Sequence, residues 1–211
     1  TFVTTGQKYG TGAVTFTGST SQGVEIATPS FNGVMTWSAW VKGTGGSDDF
    51  RVILGQNPEY YELGCANWDV PGQLVWQGAN GANSYTTKES GVNVVDDAWH
   101  RVAFTRASGG AMALYVDGTS VLSWTHTADI EAGNGASYKF LIGVRDYAAP
   151  YGHPWLGSID EVCAWSRALS ASEMATDYAY GSSVLGTMSY YLDGARQGDA
   201  VEDTPPTDYT F

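Results

Sequence analysis

The sequence predicts an all-β protein: a two-sheet antiparallel jelly-roll sandwich with one short helix in its C-terminal half. Three observations lead there. About eleven short runs of alternating or aromatic-rich residues follow one another, each closed by turn residues. The composition is rich in Gly (27), Trp (8) and Tyr (13) and low in charged residues (15%), which suits short strands and frequent turns better than a helical bundle. A single segment carries helix signals. At 211 residues the chain suits one domain of the larger all-β kind, long enough to bury a sizeable core.

The expected strands begin with "AVTFT" (13–17), "GVEIA" (23–27), "MTWSAWVK" (35–42) and "FRVILG" (50–55). "YYELGC" (60–65), "QLVWQ" (73–77), "WHRVAFTR" (99–106) and "MALYVDG" (112–118) follow, then "SVLSW" (120–124), "YKFLIG" (138–143) and "SIDEVCAW" (158–165). In the third run Met35, Trp37, Ala39 and Val41 share one face, with Thr36, Ser38 and Lys42 on the other. Asp117-Gly118 stands where a tight hairpin turn needs positive φ. The helix begins near Ala171: Ser170 and Glu173 form a capping box, Leu169 and Met174 its hydrophobic staple, and Gly181 is the stop. The stretches 42–50, 65–73, 78–90 and 144–155 read as long loops.

The formal charge of −12 argues against nucleic acid and against an anionic membrane surface as partners. Surplus carboxylates are compatible with calcium, and equally with a merely acidic surface. No window is apolar enough to span a membrane. Without an initiating Met or a signal-peptide pattern, the chain reads as a mature product or an excised piece. Cys65 and Cys163 either form one disulfide, as an oxidising compartment would favour, or are two buried thiols.

The most distinctive loop, 144–155, gathers Arg145, Asp146, Tyr147, Tyr151, His153 and Trp155 in a segment broken by Pro and Gly. Aromatic faces there would stack on a sugar while Arg145, Asp146 and His153 bond its hydroxyls. Otherwise the aromatics cover the open end of the sandwich. Catalysis is not expected. No strand offers two carboxylates on one face as glycosidases of this architecture require; Glu62 and Asp69 are too far apart, and Asp160 and Glu161 alternate. His100, His126 and His153 form no grouping, and there is neither a nucleophile elbow nor His/Cys metal spacing.

Taken in order, "TGAVTFTGSTSQGVEI", "MTWSAWVKG", "DDAWHRVAFTR", "ALYVDGTSV", "FLIGV" and "WLGSIDEVCAWSRALSASEM" resemble the laminin-G-like, concanavalin-A-like jelly-roll domains, and more loosely the pentraxins, over about residues 6–180. The resemblance implies two stacked antiparallel sheets, secretion, and a non-catalytic module in an extracellular or cell-surface protein that binds glycans or protein partners. It also implies a structural calcium held by Asp160 of the Gly157–Val162 motif and by oxygens of the early hairpin. That hairpin reads "FTGS", with Thr17 where the family has Asp, which leaves backbone oxygens of Gly18 or Ser19. The alternatives for Asp160 are a buried Arg such as Arg167, or backbone N–H groups. The pentraxins' double-calcium pattern is incomplete, since the matching loop offers only Asp146.

Residues 1–187 make up the expected domain, and 188–211 look like the segment that normally precedes the family's first strand. It opens the next repeat of an array, or is a strand lent to a neighbouring copy so that subunits chain head to tail into a fibre, or fills the first-strand slot of its own sheet.

Overall fold

A computed structural model describes residues 2–3, 8, 13–27, 33–45, 50–57, 61–66, 69–79, 85–127, 139–145, 152–180, 189–192 and 195–199. The strands are β1 (Phe2–Val3), β2 (Ala13–Thr17), β3 (Val24–Ala27), β4 (Met35–Gly43), β5 (Arg51–Asn57), β6 (Tyr61–Ala66), β7 (Gln73–Ala79) and β8 (Tyr85–Asn93). They continue as β9 (His100–Arg106), β10 (Ala111–Val116), β11 (Thr119–Thr125), β12 (Lys139–Ile142), β13 (Leu156–Trp165), β14 (Ser189–Leu192) and β15 (Ala195–Asp199), with one helix, α1 (Ala171–Tyr180), between β13 and β14. One sheet has the order β1-β2-β13-β4-β9-β10-β11, with the β14–β15 hairpin attached to β13; the other runs β3-β12-β5-β6-β7-β8. Every pairing is antiparallel. The two-sheet sandwich with a single helix is the architecture the sequence predicts.

Period-two alternation decides which side chains fill the space between the sheets. From β4 come Met35, Trp37, Ala39 and Val41; from β6, Tyr61, Leu63 and Cys65; from β9, Val102 and Phe104. The ring of Trp37 meets Phe104 and Phe140 edge-on at 4.8 and 4.9 Å, arrangements that favour aromatic quadrupoles. β8 begins inside the stretch 78–90 that reads as a loop in the sequence and runs on to Asn93. It is an edge strand whose run of Thr, Lys, Glu and Ser has no apolar stripe, so alternation of hydrophobicity cannot reveal it.

The outer face of the larger sheet is also buried, because α1 and the segment before it cover it. Ala103, Tyr115, Cys163, Trp165, Leu169 and Met174 form this second cluster. The capping box is made as its spacing predicts: Ser170 N–H donates to Glu173 Oε2 (2.8 Å), and Glu173 N–H to Ser170 Oγ (3.3 Å). Beneath the helix lies an ion pair the sequence does not reveal. Arg101 donates to both carboxylate oxygens of Asp177 (2.7 and 2.9 Å), to Ser38 Oγ (2.7 Å) and to the Glu161 carbonyl (2.7 Å). Burial works against the charge of Arg101, but the adjacent Asp177 carboxylate holds its pKa above the ordinary value.

Cys65 faces the space between the sheets and Cys163 the layer under the helix, and both are free thiols. The alternative of a disulfide is therefore set aside: a whole sheet separates the two side chains. Ser189 of β14 pairs with Ala164, beside the C-terminal half of β13, where β2 no longer runs. No described helix is long and apolar enough to cross a membrane.

Candidate functional site

Asp160 pairs with Trp40, so its side chain emerges on the outer face of the larger sheet and not in the core. A bulge follows at once: the register shifts between Asp160 and Cys163, with Glu161 at φ 48°. The Asp160 carboxylate accepts the backbone N–H of Lys8 and of Glu161, each at 2.9 Å. Arg167 is engaged elsewhere, with Glu173 at 2.6 Å. The calcium set named from the sequence is not assembled. The Gly18 N–H donates to the Trp155 carbonyl at the far end of the β2–β13 ladder. Asp160 stands five positions further along, roughly 16 Å away at strand rise. Gly18 and Ser19 thus share no coordination sphere with it, and no group of three metal-ligating side chains occurs among the described residues.

The other expected site, the loop after β12, is closed at its base. Gly143 N–H donates to the Ile53 carbonyl, Arg145 N–H to that of Gly152 (2.9 Å), Trp155 N–H to that of Gly143 (2.8 Å), and Val52 N–H to that of His153 (2.9 Å). The loop ends therefore continue β12 alongside β5. Trp155 is fully buried in the inter-sheet core, so a role in stacking on a sugar is corrected: its ring has no face to offer. Asp146, Tyr147 and Tyr151 lie outside the described residues.

Arg145 and His153 sit over the outer face of the smaller sheet, and there the structure brings groups together. One register row crosses all six strands: Glu25, Leu141, Gly55, Glu62, Gln77 and Thr87. Glu62 points outward because Tyr61 and Leu63, on either side of it, point into the core. Arg145 closes a two-pronged bond on Glu62, Nε to Oε1 at 2.8 Å and Nη2 to Oε2 at 2.6 Å, and Nη2 also reaches Gln77 Oε1 at 2.7 Å. Gln77 Nε2 passes the chain on to Thr87 Oγ1 at 3.2 Å. The result is a strip about 10 Å long across β6, β7 and β8. It runs from the buried Glu62 to the half-buried Gln77 and Thr87, with Arg145 itself 18% exposed.

Beside the strip an apolar patch of Phe50, Val52, Ala66 and Val75 is buried on the same face. The Arg145 guanidinium lies 5.3 Å over the Phe50 ring, which His153 meets edge-on at 5.8 Å. His153 Nδ1–H donates to the Phe50 carbonyl (2.8 Å). Further along the same face Gln73 Nε2 donates to Glu89 Oε2 at 2.7 Å.

Arg145 and His153 are thus the expected residues that meet in one place. Glu62, Gln77, Thr87 and Phe50 were not expected there. The alternation in "YELGC" is enough to turn Glu62 outward, but its partner lies 83 residues away and only the sheet pairing reveals it.

The fourth domain of AbnA, an extracellular arabinanase from Geobacillus stearothermophilus solved with arabinotriose, is similar to this chain. The two are 20% identical with a TM-score of 0.66, over 83% of this chain and 80% of that one. The binding domain of Paraclostridial Mosquitocidal Protein 1 is 13% identical with a TM-score of 0.64, over 84% of this chain and 45% of that one. The ligand-binding domain of Botulinum neurotoxin serotype D, solved with N-acetylneuraminic acid, is 15% identical with a TM-score of 0.57, over 82% and 43%. No curated protein sequence matches the chain. The family model Laminin_G_3 matches residues 17–175, three quarters of the chain and every strand from the end of β2 to β13, and by that match the chain belongs to the concanavalin A-like lectin/glucanases superfamily.

Proposed function

We propose that this chain is a non-catalytic glycan-binding module of an extracellular protein, and that its sugar site is the strip on the outer face of the smaller sheet. The observation that carries the reading is the chain of bonds Glu62–Arg145–Gln77–Thr87 on a sheet face partly open to solvent. A sugar hydroxyl both donates and accepts, and this strip alternates acceptors and donors at similar spacing. Its members are held by strand register and by a closed loop base, so little ordering is left to sugar binding. Similarity in fold to domains solved with arabinotriose and N-acetylneuraminic acid supports the reading. Tyr147 and Tyr151, on the loop that Arg145 begins, remain the candidates for stacking, with Asp146 a further hydrogen-bonding group.

A binding role fits the carboxylates better than hydrolysis does. Glu62 and Glu89 both face outward, but two strands and one register row apart, roughly 12 Å between backbones. Glycosidase pairs stand about 5–10 Å apart, and one member must be free to exchange a proton. Glu62 is instead locked to Arg145. Calorimetric titration with neutral and acidic oligosaccharides, on the wild type and on a Gln77→Ala, Thr87→Ala variant, tests the site. Binding that the variant weakens about tenfold or more is expected; unchanged binding would place the sugar elsewhere.

A further inference from the structure

We propose that the outer face of the smaller sheet selects neutral glycans and turns away carboxylated or sulfated ones, an inference that rests on the sugar-binding reading. Recognition of an anionic sugar needs a cation whose charge is not already met. The only described side chain bringing positive charge to this strip is Arg145, and Glu62 takes it in a two-pronged bond at 2.6 and 2.8 Å. The pair presents N–H donors and carboxylate acceptors but no net charge.

The surroundings add carboxylates. Glu25 stands at one end of the register row, and Glu89 lies one row from Thr87 at the exposed edge strand. Among the described side chains of this face, Glu25, Glu62 and Glu89 are carboxylates and Arg145 answers one of them. A ligand carboxylate or sulfate would enter against like charge, on a chain whose formal charge is −12. A neutral oligosaccharide meets no such repulsion. It exchanges its water for the fixed donors of Arg145 and Gln77 and the acceptors of Gln77 and Thr87.

The test is a glycan-binding assay on the intact chain at low and at physiological salt. Arabinotriose and galactose- and N-acetylglucosamine-terminated oligosaccharides are compared with sialylated and sulfated counterparts. Neutral sugars are expected to bind with affinity that salt leaves nearly unchanged, and their acidic counterparts at least about tenfold more weakly. Glu89→Gln, at an exposed position, is expected to narrow that gap at low salt. Glu62→Gln, checked for folding by circular dichroism, uncovers the Arg145 charge and is expected to raise acidic-sugar affinity roughly tenfold. Acidic sugars bound more tightly than neutral ones by the wild type, with affinity falling as salt rises, would overturn the selectivity and leave the sugar-binding reading standing. No binding by any sugar class would overturn both.

Discussion

Removal of the Asp177 carboxylate should cost several kcal/mol of stability, because it leaves a buried guanidinium without the carboxylate it pairs with. Asp177 is fully buried and Arg101 is 1% exposed. In Asp177→Ala the guanidinium keeps its bonds to Ser38 Oγ and the Glu161 carbonyl but loses the fully buried carboxylate that it grips with two bonds. Breaking such a pair from one side costs about 3–5 kcal/mol, a large part of the 5–15 kcal/mol that holds a typical domain. For a chain of this size that is a fall in Tm of roughly 6–20 °C. Urea denaturation followed by Trp fluorescence measures it. The comparison that isolates the charge is Arg101→Met, Asp177→Leu, which leaves no orphan ion and is expected to recover most of the loss. A loss below about 1 kcal/mol in the single variant would refute the reasoning, since it would mean that water reaches the guanidinium. The site on the smaller sheet lies on the opposite side of the sandwich, so sugar binding by the folded fraction of either variant should match the wild type.

Three further outcomes are expected. His100 lies between Asp117 (2.8 Å) and Asp96 (3.1 Å), and chiefly the hydrogen bond to Asp117 raises its pKa above the ordinary value near 6.5. Its charge therefore contributes stability that is fully present below that value and is lost as pH rises through the higher, folded-state pKa. Denaturation curves across this range should show the loss in the wild type and not in His100→Gln. Burial, offset in part by Arg51, pushes the Cys65 thiol up to about 12, so iodoacetamide at mildly alkaline pH should leave Cys65 of the native protein unmodified. Unfolding without reductant should then expose two reactive thiols, whereas finding none would establish a disulfide. At Gly157, φ is +133° and an added Cβ would run into the Lys42 carbonyl, so Gly157→Ala should cost about 1–3 kcal/mol by thermal denaturation. A neutral effect would mean that β13 and β4 can move apart there.

Much of the scaffold was legible in the chain because it rests on local rules. Alternation in "MTWSAWVKG" places Trp37 in the core whatever the strand's neighbours are, and Ser170 with Glu173 caps a helix from side chains three residues apart. β8 was not legible, because an edge strand that carries no apolar face leaves no period to read. The site was legible only in part. Arg145 and His153 were evident as loop residues, but Trp155 reads the same in sequence whether it offers its ring to solvent or buries it.

What the sequence by itself determined is the class of the molecule: an antiparallel sandwich with one capped helix, acidic, built from strands whose inward faces can be named. Tertiary structure alone decided the partners. Asp160 accepts backbone N–H groups, Asp177 answers Arg101 across 76 residues, and Glu62 answers Arg145 across 83. Periodicity fixes the face on which a side chain stands, because it follows from the pleat of one strand. Partnership depends on which strands and loops become neighbours, and in this fold the groups that meet on the outer faces come from distant parts of the chain.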